Sequence, residues 1–546
     1  MPIKTVEGNI IDIHNRRIFG GIVTISKGRI SAVKATGKAY DHFLLPGFID
    51  SHIHIESTLC TPGEFGRAII KHGTVATVSD PHEIANVLGT EGIEAMIEHA
   101  KYSPAKIFFG LPSCVPATPL ESSGATIDAA LTASLLQRHD LYFLSEMMNY
   151  PGVLAGDQEV MEKIQAAITL GKPVDGHAPG LGGQRATAYA AAGISTDHES
   201  FCIDNAWDKI QAGMHIQIRE GSAAKNFHEL IPLMHFAPEK LMFCCDDMHP
   251  DDLIKGHINL LVKKSIDLGY DLFDVLRAAS LNPVTHYRLP VGLLRIGDPA
   301  DFIIVQDLCQ FHVLQTYING KQVFKEGFSP PQIPKIALKN RFQALLPPPE
   351  AIRIQGKKGD QIRVIGVKDG SIITQHRKRI AKTEDNAYMP DTARDLLKIV
   401  VLNRYEAKPP AVGFVHGFGF KSGAIGSSVA HDSHNIIAIG TNDTDILTVI
   451  HAIIHHQGGL ACAHNGKIDS LLPLPFAGLM SDLPLEIIAE KFDTISRQAK
   501  KMGSTLTNPF ITCSFMALLV IPALKISDKG LFDSEHFNFI SLKVNV

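Results

Sequence analysis

Apolar and polar positions alternate through residues 3–35, as in Gly8-Asn9-Ile10-Ile11-Asp12-Ile13 and Gly21-Ile22-Val23-Thr24-Ile25-Ser26, with glycine at the turns. A period of two predicts short antiparallel strands. From Leu44 the pattern changes to apolar run, amphipathic stretch, apolar run, repeated. Candidate strands fall at 44–50, 74–79, 106–111, 141–146, 173–177, 194–198, 214–219 and 241–246. Eight strands separated by helical segments predict a (β/α)8 barrel of the TIM type. In the first crossover Thr61-Pro62-Gly63-Glu64 reads as a capping box with proline at the first helical position, and Gly73 stops the helix before the buried strand Thr74-Val75-Ala76-Thr77-Val78.

After a helix ending near Ser280 the strand pattern returns at 297–305 and 313–318, followed by an Asn319-Gly320 turn and a last run at 321–324. This is expected to be the other half of the N-terminal sheet, interrupted by the barrel. The fold class is therefore α/β: a small β-sandwich domain from residues 1–45 and 286–335, a barrel over 46–285, and a C-terminal α/β domain over 350–546. Pro330-Pro331, Pro334 and Pro347-Pro348-Pro349 mark the linker before that last domain, whose clearest helix starts at Ser481-Asp482-Leu483-Pro484 and carries Ile488, Phe492 and Ile495.

With 546 residues the chain is too long for one core. A composition of 45% hydrophobic and 20% charged residues is ordinary for a globular protein, and a net charge of −4 gives no electrostatic reason to expect nucleic acid or an anionic membrane as partner. A small molecule is the expected ligand. The first twenty residues lack the apolar block of a signal peptide, and Phe515–Ile521 is too short to span a bilayer, so the cytoplasm is the expected compartment. The eight cysteines include no C-x-x-C and are expected to be reduced.

Candidate chemistry sits at the C-terminal ends of the expected strands, where parallel α/β folds place it. In Pro46–Glu56, PGFIDSHIHIE, His52 and His54 stand two apart, which in a strand puts both imidazoles on one face. Strand four adds Glu146, strand five His177, strand six His198 and strand eight Asp246. Four histidines and two carboxylates at one end of a barrel suit two divalent cations about 3.5–4 Å apart, with a carboxylate between them to offset their repulsion. Any one of these residues could be an ordinary core histidine or rim ion pair; their convergence is what argues for a site. Polar groups suited to reading a ligand edge are Glu56, Asp80 and His82 after strands one and two, Arg219 and Glu220 after strand seven, and Asp247 beside the metal ligand. The polar run His431-Asp432-Ser433-His434 in the tail either closes over the barrel mouth or forms a plain loop.

These residues carry a resemblance. The interrupted sheet, PGFIDSHIHIE and the donors of strands four, five, six and eight resemble the amidohydrolase superfamily of metal-dependent hydrolases. More narrowly, GTVATVSDPHEIANVLG (73–89), SEMMNYPGV (145–153), DGHAPGL (175–181), TDHE (196–199), CCDDMHPDD (244–252), KSGAIGSSVAHDSHN (421–435) and LPLPFAGLMSD (472–482) resemble the bacterial adenine deaminases over nearly the whole chain. The resemblance implies conversion of adenine to hypoxanthine and ammonia in purine salvage, two divalent ions per chain with manganese or iron ahead of zinc, and a homo-oligomer, expected to be a homodimer. It implies His52, His54, Glu146, His177, His198 and Asp246 as ligands. Adenine C6 is a poor electrophile, so hydrolysis needs water whose pKa two cations have lowered, with Asp246 taking its proton and Glu56 and His82 assisting at the ring. Many relatives bridge their ions with a modified lysine on strand four; Phe143-Leu144-Ser145-Glu146 offers none, so Glu146 is the expected bridge. The alternatives are another binuclear C–N hydrolase that opens a cyclic amide or ureide, and an inactive scaffold, which would have no reason to keep six donors aimed at one point.

Overall fold

The computed structural model describes residues 3–222, 224–328, 332–335 and 337–544. Pro330 and Pro331 of the expected linker lie outside the described residues. The N-terminal strands β1 (Lys4–Asp12), β2 (Arg17–Ser26), β3 (Arg29–Ala35) and β4 (Phe43–Pro46) lead into eight barrel strands: β5 (Phe48–Ile53), β6 (Thr74–Ser79), β7 (Lys106–Leu111), β8 (Leu141–Met147), β9 (Val174–Gly176), β10 (Thr196–Asp197), β11 (His215–Arg219) and β12 (Leu241–Cys244). Strands β5 to β9 pair in parallel in sequence order, as do β10 to β12. Two seams close the ring. The Ser195 amide donates to the Val174 carbonyl at 2.8 Å, and the Asp246 amide donates to the His52 carbonyl at 2.9 Å. The second seam brings the first and last barrel strands together at the residues that carry the candidate donors.

Every residue of β5, β6 and β12 is buried, so the polar Asp50, Ser51 and His52 of β5 are held inside the barrel among its apolar residues. Gly47, between β4 and β5, permits the close approach: a Cβ there would stand 2.2 Å from Val75 Cγ1. The first crossover helix runs from Pro62 to Ile69, continues as a 3-10 turn to His72, and ends at Gly73 with φ 78°. The expected capping box does not form. The Thr61 side chain makes no cap bond, and Glu64 instead accepts from Arg67 Nε at 2.7 Å. Arg67 also reaches Glu486 at 2.6 Å, an ion pair to the C-terminal part of the chain that sequence spacing could not reveal.

After the barrel, β13 (Phe302–Val305), β14 (Val313–Ile318) and β15 (Lys321–Lys325) join the N-terminal strands in one sheet of order β15-β14-β13-β4-β1-β2-β3. The turn between β14 and β15 is at Asn319-Gly320, both in the left-handed region. Val6, Ile10, Val23 and Ile25 from the first half share an apolar filling with Phe302, Ile304 and Tyr317 from the second. Alternate residues, such as Ile11, Leu45 and Ile303, face the barrel core.

Further on, eight strands between Gln361 and Pro473 form a second large sheet. The helix Asp443–His455 packs Ile446, Val449 and Ile450 on one of its faces. The helix Leu485–Lys501 turns Ile488, Phe492 and Ile495 into the apolar core that is continuous with the barrel. That continuity fixes the C-terminal part over the barrel mouth. Among the described residues no helix is long and apolar enough to cross a membrane.

Candidate metal centre and active site

His52 lies within β5 and His54 just beyond it, so the pleat sends both rings to the same side and their Nε2 atoms stand 3.2 Å apart. His54 Nδ1 is 3.1 Å from the Asp80 carbonyl, an acceptor only. Nδ1 therefore carries a proton, and Nε2 points into the cluster, the orientation of a metal-binding imidazole. Asp246 Oδ1 stands 3.1 Å from His54 Nε2 and 3.5 Å from His52 Nε2. On the other side the His198 ring stacks on that of His52 with centroids 4.1 Å apart.

Glu146, at the end of β8, joins the two sides. Its Oε1 lies 3.3 Å from His54 Nε2, whereas its Oε2 lies 2.7 Å from His177 Nδ1 and 3.3 Å from His198 Nε2. The two carboxylate oxygens thus face different imidazoles. All of these side chains are buried except His177, which is partly so.

The field here favours positive charge. Burial opposes protonation of His54, but Asp246 and Glu146 outweigh it and hold the imidazole well above its ordinary pKa. His177 is likewise carried up to about 9, with Glu199 and Glu146 overcoming burial. The donor set fits divalent cations. His52-His54-Asp246, His52-Glu146-His198 and His177-His198-Glu199 are each groups whose donor atoms lie within 4.8 Å of one another. Imidazole with carboxylate, and no cysteine among these groups, is chemistry suited to manganese, iron or zinc.

The other sequence candidates divide. His82 begins the helix after β6; its Nδ1 is 3.2 Å from Asp80 Oδ2 and 3.4 Å from Glu146 Oε1, and it lines the cavity. Asp80 is buried behind it and orients its ring. Asp247 lines the cavity and accepts from Ser57 Oγ at 2.5 Å. Arg219 points inward and donates to both Glu199 and Asp246. Two candidates turn away from the cavity. Glu56 accepts from the Ile84 amide at 3.2 Å, capping the helix His82–Leu88, and burial pushes its carboxyl up to about 7. Glu220 is directed outward by the pleat that turns Arg219 inward, and it pairs with Lys264 at 3.1 Å.

The cavity also has walls that sequence reasoning passed over. Glu83 and Glu199 line it, each directly following a histidine singled out above. His431 and Asp432 reach it from the tail, so the polar run there closes over the barrel. Ile372, Phe515, Leu518, Val520 and Ile521 add an apolar ceiling.

Comparison with known proteins agrees with this geometry. Residues 43–323 match the amidohydrolase family, and residues 371–538 match the adenine deaminase C-terminal domain. The chain is 51% identical to an adenine deaminase of Parabacteroides distasonis, over 99% of this chain and 98% of that one. It is 49% identical to one of Salinibacter ruber and 47% identical to one of Methanosarcina barkeri, over 99% of both partners in each case. The chain therefore belongs to the amidohydrolase family, in its adenine deaminase branch.

Proposed function

We propose that the protein hydrolyses adenine to hypoxanthine and ammonia, with two divalent cations held by His52, His54, Glu146, His177, His198 and Asp246. One observation carries the cation count: the two oxygens of Glu146 face separate imidazole sets, Oε1 towards His54 and Oε2 towards His177 and His198. Full-length similarity to adenine deaminases supports the substrate. When bound, the cations supply Lewis acidity and water of lowered pKa at neutral pH.

The chain's own residues do the rest. Asp246 turns Oδ1 towards His52 and His54 and has Oδ2 held by Arg219, so it is aimed to accept a proton from the attacking water and return it to the departing amine. Glu199 shares the Arg219 guanidinium and fixes its direction. Glu83, His82 and Asp247 offer the purine edge its polar partners, and the apolar ceiling covers the ring face. That ceiling offers nothing to satisfy ribose hydroxyls, which favours the free base over the nucleoside.

The test is product analysis with the metal-loaded protein on adenine and on a hydantoin. Hypoxanthine and ammonia in equal amounts from adenine, with the hydantoin intact, is the expected result. Ring opening of the hydantoin without ammonia from adenine would overturn the reading.

A further inference from the structure

Both oxygens of Glu83 are met by imidazoles from the far end of the chain. His431 Nδ1 lies 2.8 Å from Oε1, and His434 Nε2 lies against Oε2. His82, its neighbour on the same helix, adds a third imidazole at 3.5 Å. All four side chains are buried. Glu83 and His431 line the reaction cavity, whereas His434 stands behind them.

The loop carrying the two tail imidazoles is braced on several sides. The fully buried Arg404 donates to the His434 carbonyl at 3.2 Å and to the Ala477 carbonyl at 2.8 Å, and its guanidinium sits 4.5 Å over the Phe342 ring. Tyr405 Oη donates to the Ser433 carbonyl at 2.5 Å. Asn435 accepts from the Arg404 amide at 3.0 Å and donates to the Ser122 carbonyl, in the loop after β7, at 3.0 Å. His434 itself holds φ 55°, in the left-handed region that a residue with a Cβ seldom adopts. The His431 ring stacks on Phe515 with centroids 4.9 Å apart. A loop that only covered the barrel mouth would need neither a buried guanidinium nor a strained histidine; one that must aim two imidazoles at one carboxylate needs both.

We propose that His431 and His434 are positioning residues for Glu83, fixing the carboxylate that delivers a proton to the purine ring nitrogen N1, so that the C-terminal part of the chain completes the reaction site. The proposal rests on the adenine reading above. As the water oxygen bonds to C6, the electron pair of the C6–N1 double bond moves to N1, which takes a proton from the Glu83–His431 pair. The C6–N6 bond then breaks, N6 leaves as ammonia with the proton held by Asp246, and the hydroxyl proton lost as C6–O becomes a carbonyl restores the pair. Burial opposes charge on His431, but Glu83 outweighs it and holds the imidazole well above its usual range, which keeps a proton on the pair at neutral pH.

A double-substitution cycle on the full-length metal-loaded protein tests this. His434→Ala is expected to lower kcat for adenine at least about tenfold, to leave KM within about threefold, and to keep two metal equivalents per chain. His434→Gln, which restores a nitrogen near the position of Nε2, recovers part of the loss and carries the cycle if the alanine variant does not fold. In a Glu83→Gln background the His434 substitution costs less than about threefold more, because its target is already gone. Losses that multiply, or a His434→Ala protein with parent kcat, would overturn the proposal. Selective 15N-histidine spectra read the contact without turnover: Glu83→Gln should shift the ring nitrogens of His431 and His434, and unmoved resonances would also refute it. Failure of the parent protein to deaminate adenine defeats the substrate reading alone, because the spectra still decide the positioning.

Discussion

Glu146→Gln keeps the shape of the side chain and removes one negative charge from between the imidazole sets. Unit charges 4 Å apart at an effective dielectric near 20 interact by about 4 kcal/mol, so two divalent ions at that separation repel by four times as much, on the order of 15 kcal/mol. The carboxylate whose Oε1 is 3.3 Å from His54 and whose Oε2 is 2.7 Å from His177 is the protein anion placed to offset that repulsion. A neutral amide leaves it uncompensated, so affinity for the second ion should fall more than about a hundredfold, or about 3 kcal/mol, while the first is retained more strongly. The rate should drop by about a thousandfold or more, since one Lewis acid would act where two did. Equilibrium dialysis against buffered manganese, with metal analysis and an ammonia assay on the same samples, reads both quantities. A variant that binds two ions per chain and turns over adenine at the parent rate would show that another residue bridges them.

Glu146→Lys should regain part of its activity when bicarbonate is added, through carboxylation of the new amine, and no dependence on bicarbonate would count against a bridging role. His52→Ala, His177→Ala and His198→Ala should each lose metal and activity while retaining the parent circular dichroism, because the apolar barrel core holds the fold; full metal occupancy in these variants would place the site elsewhere. Adenosine should show kcat/KM at least about a hundredfold below adenine, since its ribose hydroxyls would lose water against the ceiling of Phe515, Leu518 and Ile521; comparable values would refute the lidded cavity. Burial holds His72, His99 and His215 down at about 4 and His286 at about 3. Each of these four takes a proton in the unfolded chain before it does in the native one, so the stability they contribute above about pH 6.5 should be lost as pH falls towards 4; replacing His72 and His286 with Gln should reduce the fall in melting temperature between pH 7 and pH 4.5, and an unchanged fall would contradict this. Glu220→Gln, at the outer rim, should keep kcat within about twofold, and a larger loss would restore Glu220 to the cavity.

The barrel was legible because its strands are largely buried on both faces and read as short, mostly apolar or β-branched runs, with the polar donors clustered at their C-terminal ends. His52, His54 and Glu146 are fixed by the strands themselves, so a period of two was enough to bring their side chains together. Residues in the loops beyond the strands have no such period. Glu56 was singled out and Glu83 was not, yet Glu56 caps the helix that places Glu83 on the cavity wall. Arg219 and Glu220 were taken together, although the pleat must send neighbours to opposite sides. The approach of His431 to Glu83 spans most of the chain, and only the packing of the C-terminal sheet and the helix Leu485–Lys501 against the barrel decides it.

The most direct test of the account is titration of the metal-free protein with manganese while the deamination of adenine is followed. Activity that rises to a plateau at two equivalents per chain, with one ammonia released for each hypoxanthine formed, is the predicted result. A plateau at one equivalent, or hypoxanthine formed at full rate before any metal is added, would contradict it.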